Sequence, residues 1–336
     1  MRYVMLLKPH ANIRYRQSLR TLALTELACG LRAWGIPGEP GLTELGGEPF
    51  LTFETKELPD GAWRFLSRHS GCCFAAEQRE GALFPLARAE SYFPEELPQV
   101  LKYKGKTNAD FTAMLLRCAE AASAFARTEE PLTVLDPLCG KATTLFCALA
   151  EGHNAVGVEL EGKALNEADA YLERFLKFNG FKHQRRESGL TVPGGPGAKC
   201  VGYAVSNDKE RYKQGDQRTL RLINGDAAQL KYLVKDDSCH LAAADMPYGV
   251  QHAPRAGGGM STLERLTATV ARGCAGALKK GGALALSFNA YTLKRERVIR
   301  AMETAGLTPL TQPPYDGFSH WVEQAVERDA VIAVKL

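Results

Sequence analysis

From residue 130 onward, apolar runs of four to six residues alternate with longer stretches of helical periodicity, and an acidic residue follows several of the runs. The runs at 132–135, 155–158, 220–223, 241–244, 283–288 and 330–334 read as strands, and those at 143–150, 163–178, 263–278 and 293–305 as helices. Strands this uniformly apolar need cover on both faces, which a parallel sheet flanked by crossover helices provides. The fold class expected is α/β, doubly wound and mostly parallel, of Rossmann-like type.

Ahead of this region, residues 1–98 read as a smaller N-terminal α/β domain. It has strands at 3–7, 48–55 and 72–77 and a helix at 18–34 that stops before Pro37, Gly38, Pro40 and Gly41. The Pro-bounded segment 92–98 is expected to link it to a second domain, 99–336. That domain opens on a helix for which Thr107 and Asp110 form a modified capping box. About 40 residues separate the helix ending near Phe178 from the strand at 220, far more than a normal connection. With Gly194, Gly195 and Gly197 inside it, this insertion around 181–218 is expected to form a hairpin on the ligand side of the sheet. It is basic: residues 177–221 hold ten Lys/Arg against four Asp/Glu.

No apolar run approaches the ~20 residues that span a bilayer, and the opening MRYVMLLKPH does not have the pattern of a secretory signal. The nine cysteines include no Cys-x-x-Cys pair, so neither a zinc site nor another metal site is expected. Reduced thiols in a cytoplasmic protein are the expectation. A net charge of +4 permits a polyanionic partner without demanding one, so the positions of the charges matter more than their sum.

Four strand ends carry the chemistry. The first is Asp136-Pro137-Leu138-Cys139-Gly140-Lys141-Ala142-Thr143, a strand-to-helix turn of the kind that faces a ligand in open α/β sheets. It lacks the G-x-G-x-x-G that brings backbone against a pyrophosphate, which argues against a dehydrogenase. Its acid suits a ligand with positive charge on an amino-acid portion. Glu159, 23 residues on, ends the next strand, where a carboxylate can take both hydroxyls of a ribose. Asn224-Gly225-Asp226-Ala227 follows a third strand. There Asp226 can accept from an adenine amino group or cap a helix. The fourth is Asp245-Met246-Pro247-Tyr248-Gly249. An exocyclic base amine is a poor nucleophile because its lone pair is delocalised, and a carboxylate and carbonyl that accept from its hydrogens favour the localised pair. An aromatic ring beside them can stack on the base.

In this order the four turns resemble class I S-adenosylmethionine-dependent methyltransferases. More narrowly they resemble the RNA methylase family that includes the tRNA guanosine-N2 methyltransferases. Those carry Asp-Pro-x-Cys-Gly-x-Gly-Thr at the first turn and Asp-Pro-Pro-Tyr-Gly at the catalytic one. The resemblance covers about 100–336. It implies S-adenosyl-L-methionine as cofactor, with Asp136, Cys139, Gly140, Ala142 and Thr143 at its methionine end, Glu159 on the ribose, and Asp226 with Ala227 at the adenine. Thr107 and Asn108 complete the cofactor pocket, and Asp245, Pro247 and Tyr248 act at the target base. Two positions depart from the pattern: Ala142 replaces the second glycine, and Met246 replaces the first proline while keeping its carbonyl.

An RNA substrate, most simply guanosine N2 in tRNA, is the partner the resemblance implies. By their position, Lys102, Lys104 and Lys106 ahead of the cofactor domain and Arg185 and Arg186 in the basic insertion are the charges expected on its phosphates. A DNA amino-methyltransferase and a non-catalytic RNA-binding protein on the same fold are the alternatives.

Overall fold

The computed structural model describes residues 1–9, 13–99, 108–248 and 259–336. Thr107, Lys102, Lys104, Lys106 and Gly249 lie outside them.

The N-terminal part is an antiparallel sheet, β2-β3-β1-β4-β5 in spatial order, backed by two helices. Its elements are β1 (Arg2–Leu7), α1 (Ile13–Ala33), β2 (Gly41–Leu45), β3 (Glu48–Glu54), α2 (Ala62–Leu66), β4 (Cys72–Arg79) and β5 (Ala82–Pro85). Gly46 and Gly47, both at positive φ, close the β2–β3 hairpin with the twist its strands require. The sequence reading lacks β2 and β5. Both are edge strands with little or no buried side chain, so neither carries an apolar signal.

The large sheet has the order β13-β15-β12-β11-β6-β7-β10-β9-β8, with β14 added on β15. In chain order its elements are α3 (Ala109–Ala122), β6 (Thr133–Asp136), α4 (Thr143–Ala150), β7 (Asn154–Glu159), α5 (Gly162–Phe178), β8 (Lys182–Leu190), β9 (Ala198–Ser206) and α6 (Lys209–Lys213). There follow β10 (Arg218–Asn224), a 3-10 turn (Ala227–Gln229), α7 (Leu230–Leu233), β11 (Cys239–Asp245), α8 (Gly259–Ala277) and β12 (Leu278–Asn289). The last elements are α9 (Arg295–Thr304), β13 (Thr308–Leu310), β14 (His320–Glu323) and β15 (Val326–Val334). Strands β10, β7, β6, β11 and β12 run parallel. From β6 the chain winds outward through β7 to β10, then returns to the other side of β6 as β11. The switch point therefore lies between β6 and β11, where a doubly wound sheet opens its ligand crevice.

Three expectations change. The insertion does form a hairpin, but it extends the sheet sideways instead of sitting on its ligand side. β9 pairs along the full length of β10, satisfying an edge that would otherwise be open. β8 escaped the sequence reading because Lys-His-Gln-Arg-Arg-Glu-Ser-Gly-Leu has no apolar periodicity. Second, α3 is capped by Asn108, whose side chain accepts from the Asp110 N–H at 2.8 Å. The Asp110 carboxylate instead receives Lys8 Nζ at 3.2 Å. Third, segment 92–98 is packed. Phe93 and Leu97 are buried, the Tyr92 N–H donates to Ala150 O at 2.8 Å, and Tyr171 Oη donates to Leu97 O at 2.7 Å.

One apolar core runs from the small sheet through α1 and α3 to α4 and α5, on one face of the large sheet, and a second lies under α8 and α9 on the other face. Within the first core, buried Arg117 on α3 reaches Glu26 Oε1 at 3.0 Å, Glu151 Oε2 at 3.5 Å, the Phe65 carbonyl and the Phe65 ring. This arginine fastens the N-terminal unit to the large sheet.

Candidate active site

Strand register sets the site. Asp136 pairs with Gly157 on β7, and Leu135 pairs with Ala242 on β11. Paired residues of parallel neighbours project to the same face, and the side-chain period is two. Glu159, two beyond Gly157, and Asp245, two beyond the residue level with Asp136, therefore share the face of Asp136. Three carboxylates stand together at the ends of three adjacent strands.

Asp136 is buried, and its Oδ1 accepts the Leu138 N–H at 3.0 Å. Burial raises its pKa to about 7, against the opposing hydrogen bonds from Thr144 and Leu138, and Glu159 and Asp245 push the same way as burial. None of the ion pairs among the described residues neutralises Asp136 or Glu159. The neutral form of Asp136 is favoured, so its contribution to stability is present in acid and lost as pH rises through about 7.

The first turn wraps around the Glu159 carboxylate. The Gly140 N–H donates to Oε2 at 2.9 Å and the Glu161 N–H to Oε1 at 2.8 Å, which leaves each oxygen able to accept once more. Gly140 (φ +51) has open space where a Cβ would stand. Ala142, at φ +68, adopts the left-handed conformation the glycine pattern leads one to expect, as the N-cap of α4. Its methyl is fully buried, and that burial offsets part of the strain. Cys139 is buried: its N–H donates to Val158 O at 3.0 Å, and burial pushes its thiol pKa up. Thr143, also buried, begins α4.

Beneath the turn, a Cβ on Gly157 would collide with Leu145 and lie 2.7 Å from Cys139 Sγ. Gly157→Val is therefore expected to push α4 off β7, at a cost of about 1–3 kcal/mol. A lower urea midpoint would check it.

Asp226 is exposed, and its carboxylate caps the 3-10 turn by accepting the Ala228 N–H at 2.8 Å; Ala227 beside it is buried. The capping reading is thus observed.

At the fourth turn the Met246 N–H donates to Ser287 O at 2.8 Å, which fixes the half-buried Pro247 and Tyr248 beyond it. The Tyr248 hydroxyl lies 3.0 and 2.9 Å from the two Asp245 oxygens, and Ser287 Oγ donates to Oδ1 at 2.6 Å. Arg328 Nε donates to the Tyr248 Oη at 2.6 Å, so the phenolic proton must point to Asp245. The buried Arg328 guanidinium lies over the Phe111 ring at 4.7 Å and the Tyr248 ring at 5.3 Å. Burial and the Asp245 charge push the Tyr248 pKa up, so the phenol stays protonated. The ring expected to stack on a base is here folded back on its own carboxylate.

Sequence reasoning missed Ser287, Arg328 and Phe111. A serine inside an otherwise apolar buried strand was the one available signal, since Ser287 sits level with Asp245 in the β11–β12 register. The structure also separates Arg185 from Arg186. Strand alternation turns Arg185 toward α5, where it forms a two-point ion pair with Asp169 (3.1 and 2.8 Å) and also reaches Glu187, while Arg186 projects from the opposite face.

These features define a doubly wound α/β protein with three carboxylates gathered at the switch point of its sheet. No family model matches the sequence, and no curated protein does. Among solved structures, the chain is similar to TrmN from Thermus thermophilus, at 17% identity over 91% of this chain and 64% of that one, with a TM-score of 0.43. This chain thus spans a little under two thirds of that protein's length. It is also similar to a TehB-like SAM-dependent methyltransferase from Corynebacterium glutamicum, at 13% identity over 69% and 90% of the chains, TM-score 0.39. An rRNA methylase from Streptococcus thermophilus matches at 14% identity over 70% and 99%, TM-score 0.35. Each is a likeness of fold. No helix among the described residues is long and apolar enough to cross a membrane.

Proposed function

We propose that this chain is an S-adenosylmethionine-dependent methyltransferase that modifies an exocyclic amino group of an RNA base, with guanosine N2 in tRNA the first substrate to try. The observation that carries this reading is the set of three carboxylates on one sheet face, two of them in no ion pair among the described residues.

The crevice residues fit the cofactor. Among the described residues buried Asp136 has no positive partner, and an amino-acid ammonium would supply one. Glu159 retains one acceptor position on each oxygen, matching the two hydroxyls of a ribose. Asp226 and Ala227 follow the end of the next strand, where an adenine would reach, and Asn108 caps α3, whose Phe111 packs on Arg328. When bound, the cofactor supplies a methyl group on an electrophilic sulfonium.

The chain's own residues prepare the acceptor. Asp245 and the Met246 carbonyl accept from the amine hydrogens and so favour a lone pair localised on nitrogen. Asp245 is also the group placed to hold the proton that leaves the amine. Ser287 and Arg328 fix the carboxylate and the tyrosine, and Tyr248 must release the carboxylate as the base enters. A base reaches this turn only when unpaired or flipped out of its helix.

Incubation with methyl-labelled S-adenosylmethionine and separate RNA and DNA pools tests this: label in RNA supports it, and label in DNA alone or in neither contradicts it. Because the ammonium requires ionised Asp136, cofactor affinity is expected to rise on the order of tenfold from about pH 5.5 to about pH 7. Calorimetry should show that rise flattened in Asp136→Asn.

A further inference from the structure

The inserted hairpin gives the large sheet an outer region whose two faces differ. Register places Arg186 level with Gly202, and Gly202 level with Arg221. Residues in register project together, so Lys182, Gln184, Arg186, Gly202, Ala204, Thr219 and Arg221 share one face. On the opposite face Tyr203, Val205, Leu220 and Leu222 are buried in the core that includes α5. The first face is left open there: Lys182, Gln184, Arg186 and Thr219 are exposed, and Gly202, Ala204 and Arg221 are half-buried.

Two features of this open face are unexplained by folding. It carries three cations, and no acidic residue of β8, β9 or β10 projects from it, since Glu187 lies on the Arg185 side. Arg186 and Arg221 form no ion pair or hydrogen bond among the described residues, unlike Arg185. The second feature is Gly202 itself. A glycine inside a strand weakens it and often marks a close approach by another backbone. Gly202 does not have a positive φ, and a Cβ there would meet only Arg186 O at 3.9 Å. Neither conformation nor packing demands the glycine. It leaves a bare floor between two arginines set two strand spacings apart, about 10 Å.

We propose that this face, with Arg186 and Arg221 on either side of Gly202 and Lys182 below, docks the phosphodiester backbone of the RNA substrate. The proposal rests on the RNA reading above. The guanidinium forks match phosphate oxygens, and the glycine floor admits the backbone between them. The site lies three to five strand spacings from β11, about 14–24 Å along the sheet, so it holds a part of the RNA distant from the reacting base.

The test measures binding of an unmodified tRNA transcript to the full chain by fluorescence anisotropy across a salt series. Arg186→Gln with Arg221→Gln is expected to lower the slope of log affinity against log salt by about two. Gly202→Leu, which keeps both arginines, is expected to weaken binding as well, because its side chain fills the floor. Both variants should bind S-adenosylmethionine as the wild type does, which verifies the fold. If the wild type binds and methylates RNA while both variants keep its slope and affinity, the docking face is wrong and the enzyme reading stands. If methyl transfer fails but the arginine variant still loses the slope, the enzyme reading fails and the docking face stands. Salt-dependent binding to phosphatidylserine vesicles or to an acidic peptide, with none to RNA, overturns the docking proposal.

Discussion

Replacing Asp245 by Asn is expected to reduce methyl transfer by about 10²–10³-fold while leaving the affinity for S-adenosylmethionine near the wild-type value. The two side chains have the same shape, so the turn should hold. The hydrogen bonds differ. Ser287 still donates to this side chain once Tyr248 has released it, so the single carbonyl oxygen of an asparagine would turn toward Ser287. Its NH2 group would then face the incoming amine, donor against donor, and the lone pair on the base would stay delocalised. Single-turnover kinetics with labelled cofactor, alongside a binding isotherm, would measure both halves. A variant that keeps its rate would remove Asp245 from the chemistry, and one that loses cofactor binding would make its role structural.

Arg117→Met is expected to have the largest effect on stability, a loss of about 3–5 kcal/mol. The methionine fills similar volume but leaves Glu26 almost fully buried, facing only His69 and Ser70, and leaves Glu151 with Arg68 alone. Glu26 sits below the usual carboxylate range although burial works against it, because His69, Arg117 and the Ser70 hydrogen bonds favour its charged form. A depressed carboxylate stabilises the fold above its unfolded pKa and loses that stability as pH falls through the folded value. The wild type should therefore weaken in acid, and Arg117→Met should lose part of that acid dependence. Urea melts at several pH values would show it. Activity should also fall, because α3 carries both Arg117 and Phe111, the ring beneath Arg328.

The parts of this molecule legible in its sequence are those set within a single stretch of chain. Helix α4 is legible at 143–150, its observed bounds, because a strand-ending acid, a tight turn and an unbroken apolar run all occur locally. The acids at 136, 159 and 245 were legible for the same reason, since each follows its own apolar strand. What was hidden depends on pairing between distant segments. Ser287 meets Asp245 across 42 residues, and Arg328 meets Tyr248 across 80. Nothing near either residue announces the contact. β8 was invisible because it buries too little to need an apolar pattern. The packing of segment 92–98 was obscured by its prolines, which break regular structure without preventing Phe93 and Leu97 from being buried.

A crystal structure with S-adenosylhomocysteine would place the ligand against the three carboxylates directly. The expected result is a ribose diol on both Glu159 oxygens, the ammonium near Asp136, and the sulfur facing Asp245. A diol that avoids Glu159, or a sulfur directed away from the end of β11, would contradict it.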